Sequence, residues 1–251
     1  MHLKEKMRAG GKTAGTMARI VRNPALMALA KNAGLDFVMF DCEHGFYDIE
    51  TLHDAFLLGR AMGVPGFVRV PVGTKDYISR VLDAGAVGVM VPMVETAGYA
   101  EELVKYAKYP PVGGRGFSAG GAHTCYAGGS HTQIMAEHNG QIIAIAQIET
   151  KLAVDNIDAI AAVEGLDALL IGPNDLSISL GIPGDLLNPI ELEAIARVAA
   201  ACRKHGKIFG MHAGAALLKK FAADIRLCMS LSDSDLLIAG MKGIRETVDS
   251  L

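Results

Sequence analysis

The chain has 251 residues, of which 51% are hydrophobic and 20% are charged, and its formal net charge is −3. This composition is typical of a compact globular protein and excludes an intrinsically disordered one. The small net charge and the lack of a dense basic tract argue against nucleic acid or an acidic membrane surface as a partner.

The sequence also lacks the marks of a membrane or secreted protein. Every long apolar run is interrupted before it reaches the roughly 18 to 20 residues that a membrane span requires. The first residues do not form the apolar core of a secretion signal, and the four cysteines show no CxxC pairing. We therefore expect a protein of the reducing cytoplasm.

Short apolar runs alternate with longer amphipathic segments from residue 36 onward, which predicts repeated βα units around a parallel sheet. The predicted strands are residues 13–17, 37–40, 67–70, 88–91, 142–148, 168–171, 207–211 and 227–231. The predicted helices are residues 48–62, 74–84, 96–106, 150–163, 189–205, 214–223 and 233–248. Eight such units favour a single α/β domain over residues 1–251, a closed (β/α)8 TIM barrel. An open doubly wound sheet is the alternative, but no GxGxxG follows the first strand.

One glycine-rich segment, residues 110–139, is too long for an ordinary connection and is interpreted as an active-site loop or lid. It contains His123, His131 and His138. Their spacing matches no familiar zinc pattern, and solvated loop histidines are the simpler interpretation.

The carboxyl ends of the strands of such a barrel meet at one mouth, so the residues that follow the apolar runs should be neighbours in space. Glu149 and Asp175 form an oxygen-rich pair that suits a hard divalent ion and leaves positions open for water and substrate. The polar residues at these strand ends are Asp41, Glu43, His44, Arg69, Gln147, Glu149, Asp175 and His212.

Each of the other residues has a functional and a structural interpretation. Arg69 could stabilise an enolate or carboxylate, or could hold the strand ends together through Asp41 or Glu43. His44 beside Asp41 suggests a general base oriented by a carboxylate, with a structural histidine as the alternative.

The turn at residues 172–177 could bind a carboxylate with free backbone N–H groups, or could be a simple βα turn capped by Asp175. Asp83 could belong to a structural ion pair on its helix. Cys42 is interpreted as a small buried hydrophobe rather than a nucleophile, because the neighbouring acids would raise the pKa of its thiol.

The order and spacing of seven motifs resemble the HpcH/HpaI aldolase family of class II, metal-dependent pyruvate aldolases, over nearly the whole chain. The motifs are FVMFDCEHG (37–45), VRVP (68–71), LDAG (82–85), VPMV (91–94), YPP with GRG (109–116), QIET (147–150) and IGPNDLS (171–177). The resemblance implies a (β/α)8 barrel whose last helix is exchanged between subunits of a homo-oligomer, a trimer or a hexamer.

The resemblance also implies roles for individual residues. Glu149 and Asp175 match the protein ligands of a divalent ion such as Mg, Mn or Co, and no organic cofactor is expected. His44 with Asp41 matches the catalytic base, and Glu43 and Asp83 match a supporting acid and an acid near the subunit interface. The residues that match the pyruvate site are Arg69, Gln147, Gly172, Pro173 and Asn174.

The implied reaction is reversible cleavage of a 4-hydroxy-2-oxo acid to pyruvate and a small aldehyde through a metal-bound pyruvate enolate. The same chemistry would serve an oxaloacetate decarboxylase or a CoA-ester lyase, although a basic groove for CoA phosphates is not evident. The non-enzyme alternative is a barrel that only binds a 2-oxo acid. No strand end presents a Schiff-base lysine, which argues against a class I mechanism.

The chain departs from the family pattern on the side expected to receive the aldehyde. Met17 replaces a frequent tryptophan, and Asn174 replaces a frequent alanine. Met211 and His212 stand where relatives tend to carry aliphatic residues. These four differences leave the pyruvate chemistry intact but make the second substrate hard to predict.

Overall fold

The computed structural model of the protein describes residues 2–251, and its eight parallel strands close into a barrel in sequence order. The predicted (β/α)8 fold is thereby confirmed. The strands are Thr13–Ala18 (β1), Phe37–Asp41 (β2), Gly66–Arg69 (β3), Gly88–Val91 (β4), Ile143–Ile148 (β5), Ala168–Ile171 (β6), Ile208–His212 (β7) and Leu227–Ser232 (β8). The predicted strand ends differ from these by at most one residue.

Helices cover the outside of the barrel and close one of its ends. They are Leu3–Arg8 (α1), Leu26–Asn32 (α2), Ile49–Met62 (α3), Lys75–Asp83 (α4), Ala97–Ala107 (α5), His131–Gln141 (α6), Lys151–Asp155 (α7), Ile157–Ala162 (α8), Pro173–Ser179 (α9), Pro189–His205 (α10), Ala215–Lys220 (α11) and Asp233–Asp249 (α12). Within residues 2–251, no helix is long and apolar enough to cross a membrane.

The helix predicted at residues 150–163 is interrupted. Asn156 leaves the helical conformation between α7 and α8, with φ −93° and ψ 7°, and its Nδ2 donates to the carbonyl of Glu95 at 2.9 Å. The helices α1, α2 and α6 were not predicted, and α9 was recognised only as a helix that opens after the turn at residues 172–177. α1 and α2 have only six and seven residues and cannot display a clear 3.6-residue period, whereas most of α6 lies in the segment that was interpreted as a loop.

The interior of the barrel is filled by side chains rather than by a pore. The rings of Phe37 and Phe67 stack with their centroids 4.8 Å apart. A Cβ at Gly15 would lie 2.4 Å from the Phe37 ring, and one at Gly88 would lie 2.7 Å from the Phe67 ring. Glycine on the neighbouring strands therefore makes room for the two rings, and Met7 of α1 belongs to the same buried cluster.

A buried ionic cluster lies at the N-terminal end of the barrel, away from the mouth. Asp167 accepts ion pairs from Lys4 Nζ at 2.6 Å and from Lys108 Nζ at 2.7 Å. Burial would raise the pKa of Asp167, but the charges of the two lysines outweigh it and lower that pKa. Burial lowers the pKa of Lys108 to about 8. This cluster holds α1 against the N-terminal end of the barrel.

The glycine-rich segment is not a lid over the mouth of its own chain. It follows α5 and precedes β5, so it begins and ends at the N-terminal face, and its short 3-10 helix at Ala122–Thr124 contacts α3 and α4. Its last part is the helix α6. His123 and His138 are buried with their rings 5.0 Å apart, so the expectation of solvated histidines is wrong for these two.

Candidate active site

The first part of the mouth is built where β2 and β3 end side by side. Asp41 is paired with Arg69 in the strand register and is fully buried. Arg69 Nε donates to Asp41 Oδ1 at 2.9 Å, and Nη2 donates to Oδ2 at 2.7 Å. Arg69 Nη1 also lies 3.0 Å from Glu43 Oε2. The structural interpretation of Arg69 as a tie between strand ends is therefore correct, and it leaves room for a further role.

The surroundings of Asp41 favour its charged form. Burial would raise its pKa, but the hydrogen bonds and the charge of Arg69 outweigh this and lower the pKa. Asp41 Oδ1 also accepts the backbone N–H groups of Glu43 at 3.1 Å and of His44 at 3.2 Å. Because these contacts favour the charged carboxylate, Asp41 is a poor proton acceptor.

The structure differs from the predicted side-chain pairing of His44 with Asp41. The His44 side chain is 60% exposed, and its Nε2 lies 4.0 Å from Glu43 Oε2. Among residues 2–251, its ring makes no hydrogen bond to Asp41, whose oxygens are occupied by guanidinium and backbone donors. Asp41 therefore positions His44 through the backbone rather than through the imidazole.

The second part of the mouth is formed by the end of β5. Glu149 Oε1 accepts the backbone N–H of Met93 at 2.7 Å, and Gln147 Nε2 donates to Glu149 Oε2. Met93 has a φ of 52°, a left-handed conformation that is uncommon for a residue with a side chain. A strained turn after β4 therefore helps to fix Glu149.

The turn between β6 and α9 packs tightly on this carboxylate. A Cβ at Gly172 would lie 2.5 Å from Glu149 Oε2 and 2.8 Å from Gln147 Nε2. A side chain at this position would displace both of these groups, although the φ of −98° would suit any residue. After Pro173, the side chains of Asn174 and Asp175 are exposed at the start of α9.

A small cavity of about 80 Å³ joins these strand ends. Its floor consists of buried residues, among them Met17, Met90, Leu170, Arg69 and Gln147. Its rim consists of the more exposed Arg19, His44, Asn174, Asp175 and His212. Larger cavities of about 480 to 650 Å³ lie elsewhere, but the convergent carboxylates, guanidinium groups and amides are at the mouth.

The donor set at the mouth fits a divalent cation. Burial raises the pKa of Glu149 to about 7, and the negative charges of Asp175 and Glu43 add to the effect. Gln147 Oε1 is buried without a hydrogen-bond partner among the described residues. Residues 2–251 contain no cluster of three His, Cys, Asp or Glu side chains that could hold a metal. Glu149 and Asp175 would supply two carboxylates to such a cation and leave other positions open.

Two predicted residues lie away from the mouth. Met211 is buried in the layer between strands and helices, because successive residues of β7 face opposite sides and His212 takes the inner one. The prediction that Met211 lines the aldehyde pocket is therefore wrong. Asp83 lies at the end of α4 and pairs with Arg115 Nη2 at 2.5 Å, so its ionic partner comes from the glycine-rich segment rather than from its own helix.

Two other predicted residues lie as expected. His212 is half-buried at the rim, and its Nε2 lies 3.1 Å from the carbonyl oxygen of Leu231. Cys42 is partly buried, and burial, followed by the charge of Asp41, raises the pKa of its thiol to about 12. This thiol is therefore not a reactive thiolate at neutral pH.

Arg19 also lies at the rim and was not predicted from the sequence. Arg19 directly follows β1, close to where Asp41 and Arg69 end β2 and β3, and this position was the only available signal. Its Nε donates to Asp41 Oδ2 at 3.1 Å. Two arginines therefore share one buried carboxylate.

Comparison with known proteins agrees with this fold. Residues 20–236 match the family described as HpcH/HpaI aldolase/citrate lyase. The chain belongs to this family. Membership in the HpcH/HpaI family makes it an enzyme of the carbon–carbon lyase class.

Individual HpcH/HpaI relatives resemble most of the chain. A 4-hydroxy-2-oxovalerate aldolase of Novosphingobium aromaticivorans is 42% identical over 192 residues, covering 73% of this chain and 71% of that protein. A 5-keto-4-deoxy-D-glucarate aldolase of Klebsiella pneumoniae is 37% identical over 189 residues, covering 75% and 73%. The crystal structure of an HpcH/HpaI aldolase from Desulfitobacterium hafniense has a TM-score of 0.94 at 34% identity, covering 100% and 98%.

Proposed function

We propose that the protein is a divalent-metal-dependent aldolase that reversibly cleaves a 4-hydroxy-2-oxo acid to pyruvate and an aldehyde. The observation that carries the proposal is the carboxylates of Glu149 and Asp175 together with the buried Gln147 Oε1, which has no hydrogen-bond partner among residues 2–251. The two relatives described above are named as aldolases, one for 4-hydroxy-2-oxovalerate and one for 5-keto-4-deoxy-D-glucarate.

The floor of the mouth would bind the pyruvyl half of the substrate. Three of the five N–H groups of Arg69 contact Asp41 and Glu43, and another points to Met17 Sδ at 3.9 Å. At least one therefore remains for an oxygen of the 2-oxo acid. Gln147 and the turn of Gly172, Pro173 and Asn174 would hold the carboxylate end.

His44 would move the proton. Its exposed ring on the rim can reach the 4-hydroxyl of a substrate whose 2-oxo group lies on the floor. Taking that proton releases the aldehyde as the C3–C4 bond breaks, and the electron pair moves into the pyruvyl unit as an enolate. Arg69, held by Asp41 and Glu43, would face the oxygen on which this charge develops, so little reorganisation would be needed. Returning a proton to C3 gives pyruvate.

Glu149 and Asp175 would hold the cation, which when bound supplies Lewis-acid polarisation of the 2-oxo group. Gly172 lets the peptide chain approach Glu149 closely, and the Met93 N–H holds one Glu149 oxygen in place. These contacts orient the ligand carboxylate before a cation binds.

The test is pyruvate release from a 4-hydroxy-2-oxo acid by chelator-stripped protein, before and after addition of Mg, Mn or Co. We expect release only after metal addition, and a loss of at least about 100-fold in kcat/KM for Glu149→Gln. The matched control is Glu102→Gln, because Glu102 is exposed on α5. Turnover by stripped protein at the full rate, or equal activity of both variants, would contradict the proposal.

We also propose that α12 is exchanged with a neighbouring subunit of a homo-oligomer. The exposed fractions of its apolar residues Leu237, Met241, Ile244 and Val248 lie between 45% and 69%. These residues follow one another at helical spacing and form one apolar stripe. Replacing Met241 and Ile244 together by glutamate should give a monomer by light scattering, whereas an unchanged mass would contradict the exchange.

A further inference from the structure

A cavity with an excess of positive charge lies at the N-terminal end of the barrel, opposite the mouth. Its volume of about 480 Å³ falls within the range of about 300 to 1,000 Å³ that is usual for pockets of small organic ligands. The charged residues that line this basal cavity are Arg8 on α1, Arg203 near the end of α10, Lys207 and Arg226 directly before β7 and β8, and Asp224. Four cations and one acid therefore come together from separate parts of the sequence, which is why no dense basic tract indicates the cavity.

Two of the four cations have no acid partner. Arg226 Nη1 donates to two backbone carbonyl oxygens at 2.8 and 2.9 Å, and Lys207 Nζ donates to two others at 2.7 and 2.9 Å. Neither side chain forms an ion pair within residues 2–251. Burial lowers the pKa of Lys207, and the positive charge of Arg8 acts in the same direction, although Asp167 opposes it. A bound anion would favour the charged form of this lysine.

The other two cations have acid partners but keep most of their donors free. Arg203 Nη1 lies 2.6 Å from Asp224 Oδ1, and its side chain is 60% exposed. Arg8 Nη2 lies 3.1 Å from Asp167 Oδ1, and its side chain is 57% exposed. Asp167 also pairs with two buried lysines, so one acid serves three cations. Each of the two arginines makes a single side-chain hydrogen bond within residues 2–251, although a guanidinium has five N–H groups.

We propose that the basal cavity binds a small organic polyanion, a tricarboxylate or a phosphate ester. Guanidinium forks match carboxylate and phosphate oxygens alike, and the excess of positive charge favours an anion with several charges over a monoanion. The volume of the cavity and the buried apolar residues Met7, Ile208 and Phe209 that also line it favour an organic anion over an inorganic one. The site lies at the opposite end of the barrel from the mouth, so the inference does not depend on the proposed aldolase function.

The test is isothermal titration calorimetry of propane-1,2,3-tricarboxylate and of 3-phosphoglycerate into chelator-stripped protein, so that neither anion binds through a metal at the mouth. We expect at least one of them to bind with a Kd below about 1 mM, and the tighter one identifies the head group. Arg226→Met and Arg203→Met should each weaken binding by at least about 10-fold, the latter also because it leaves Asp224 unpaired. Arg226→Lys should keep part of the affinity, because it keeps the charge but loses the fork.

The matched control is Arg197→Met, which also removes one exposed positive charge from α10 but lies outside the cavity. It should bind as the wild type does. Equal weakening in this control would indicate a general effect of net charge and would overturn the inference. Weakening in Arg19→Met but not in Arg226→Met would place the anion at the mouth and would also overturn it. Two further results would do the same, namely sulfate binding as tightly as the organic anions, and no binding of either organic anion.

Discussion

The helices α10 and α12 both contain 17 residues, but they differ in how many of their residues are buried. α10 buries a stripe that includes Ile195, Val198 and Cys202. α12 carries apolar residues at the same helical spacing, yet Asp233 is its only buried residue within the described chain. The same sequence period therefore gives a helix in both cases but does not specify whether the surface that covers it belongs to the same chain.

Among substitutions in the two helices, we expect the largest loss of stability at Asp233, at the start of α12. Replacing it by alanine would remove the acceptor of three backbone N–H groups, so Asp233→Ala should lower the free energy of unfolding by about 4 kcal/mol. Urea denaturation measures this. A loss below about 1 kcal/mol would mean that other groups or water satisfy the three amides.

The apolar stripes should respond differently to the same substitution. Ile195 is fully buried, so Ile195→Ala should cost about 3 kcal/mol at any protein concentration. Ile244 is 69% exposed in the single chain, so Ile244→Ala should cost less than about 0.5 kcal/mol in dilute protein. If α12 is exchanged between subunits, the stability cost of Ile244→Ala should grow with protein concentration. Denaturation curves at several concentrations check both variants, and equal losses in dilute protein would refute the contrast.

Measurements of stability at a series of pH values should further distinguish the two helices, because α10 carries the buried Glu191. Glu191 is fully buried, neither carboxylate oxygen has a partner among residues 2–251, and burial, followed by the charge of Asp185, raises its pKa from 4.5 to about 7. Folding therefore takes up a proton between these values, and stability is lost as the pH rises through about 7.

Glu191→Gln cannot ionise and should be more stable than the wild type by about 2 kcal/mol above pH 8, with no advantage below pH 4.5. Thermal denaturation across this range measures the difference. The control is Glu246→Gln on α12, where the side chain is exposed and a pH-dependent gain is not expected. A Glu191→Gln gain that is constant with pH would argue against titration of Glu191.

We expect the smallest changes in stability from substitutions at the C-terminal ends of α10 and α12. Gly206 ends α10 with φ 63°, and a Cβ at this position would meet no atom within 4 Å beyond its own chain neighbours. Gly206→Ala should therefore cost about 1 kcal/mol through backbone strain alone. Ser250 ends α12 with φ −89°, and Ser250→Ala should change stability by less than about 0.5 kcal/mol. Melting temperatures of the two variants test this, and equal shifts would show that the left-handed cap is not what costs stability.

The strands and their order were predictable because buried parallel strands are continuous apolar runs, and the residues that follow them must meet at one end of a barrel. That rule brought Asp41, Arg69, Glu149 and Asp175 to the mouth. It could not reveal the direction of the His44 ring, because that depends on how the oxygens of Asp41 are divided among four donor residues.

Other features depend on contacts that no local pattern encodes. The Met93 amide that holds Glu149 is a backbone group and has no sequence signature. Met211 was misplaced because a one-residue uncertainty in a strand reverses the face of every side chain. The glycine-rich segment was predicted to be a lid because its length was visible in the sequence, but the face of the barrel that it covers was not.

The filled interior of the barrel has a consequence for the order of events in turnover. Stacked Phe37 and Phe67 and the helix α1 leave the rim as the route to the floor. In the proposed reaction pyruvate would occupy the floor and the aldehyde the rim, so the aldehyde would cover the way out. Pyruvate should therefore enter first in synthesis and leave last in cleavage, so that pyruvate inhibits cleavage as a competitor of the 4-hydroxy-2-oxo acid, and the aldehyde does so noncompetitively.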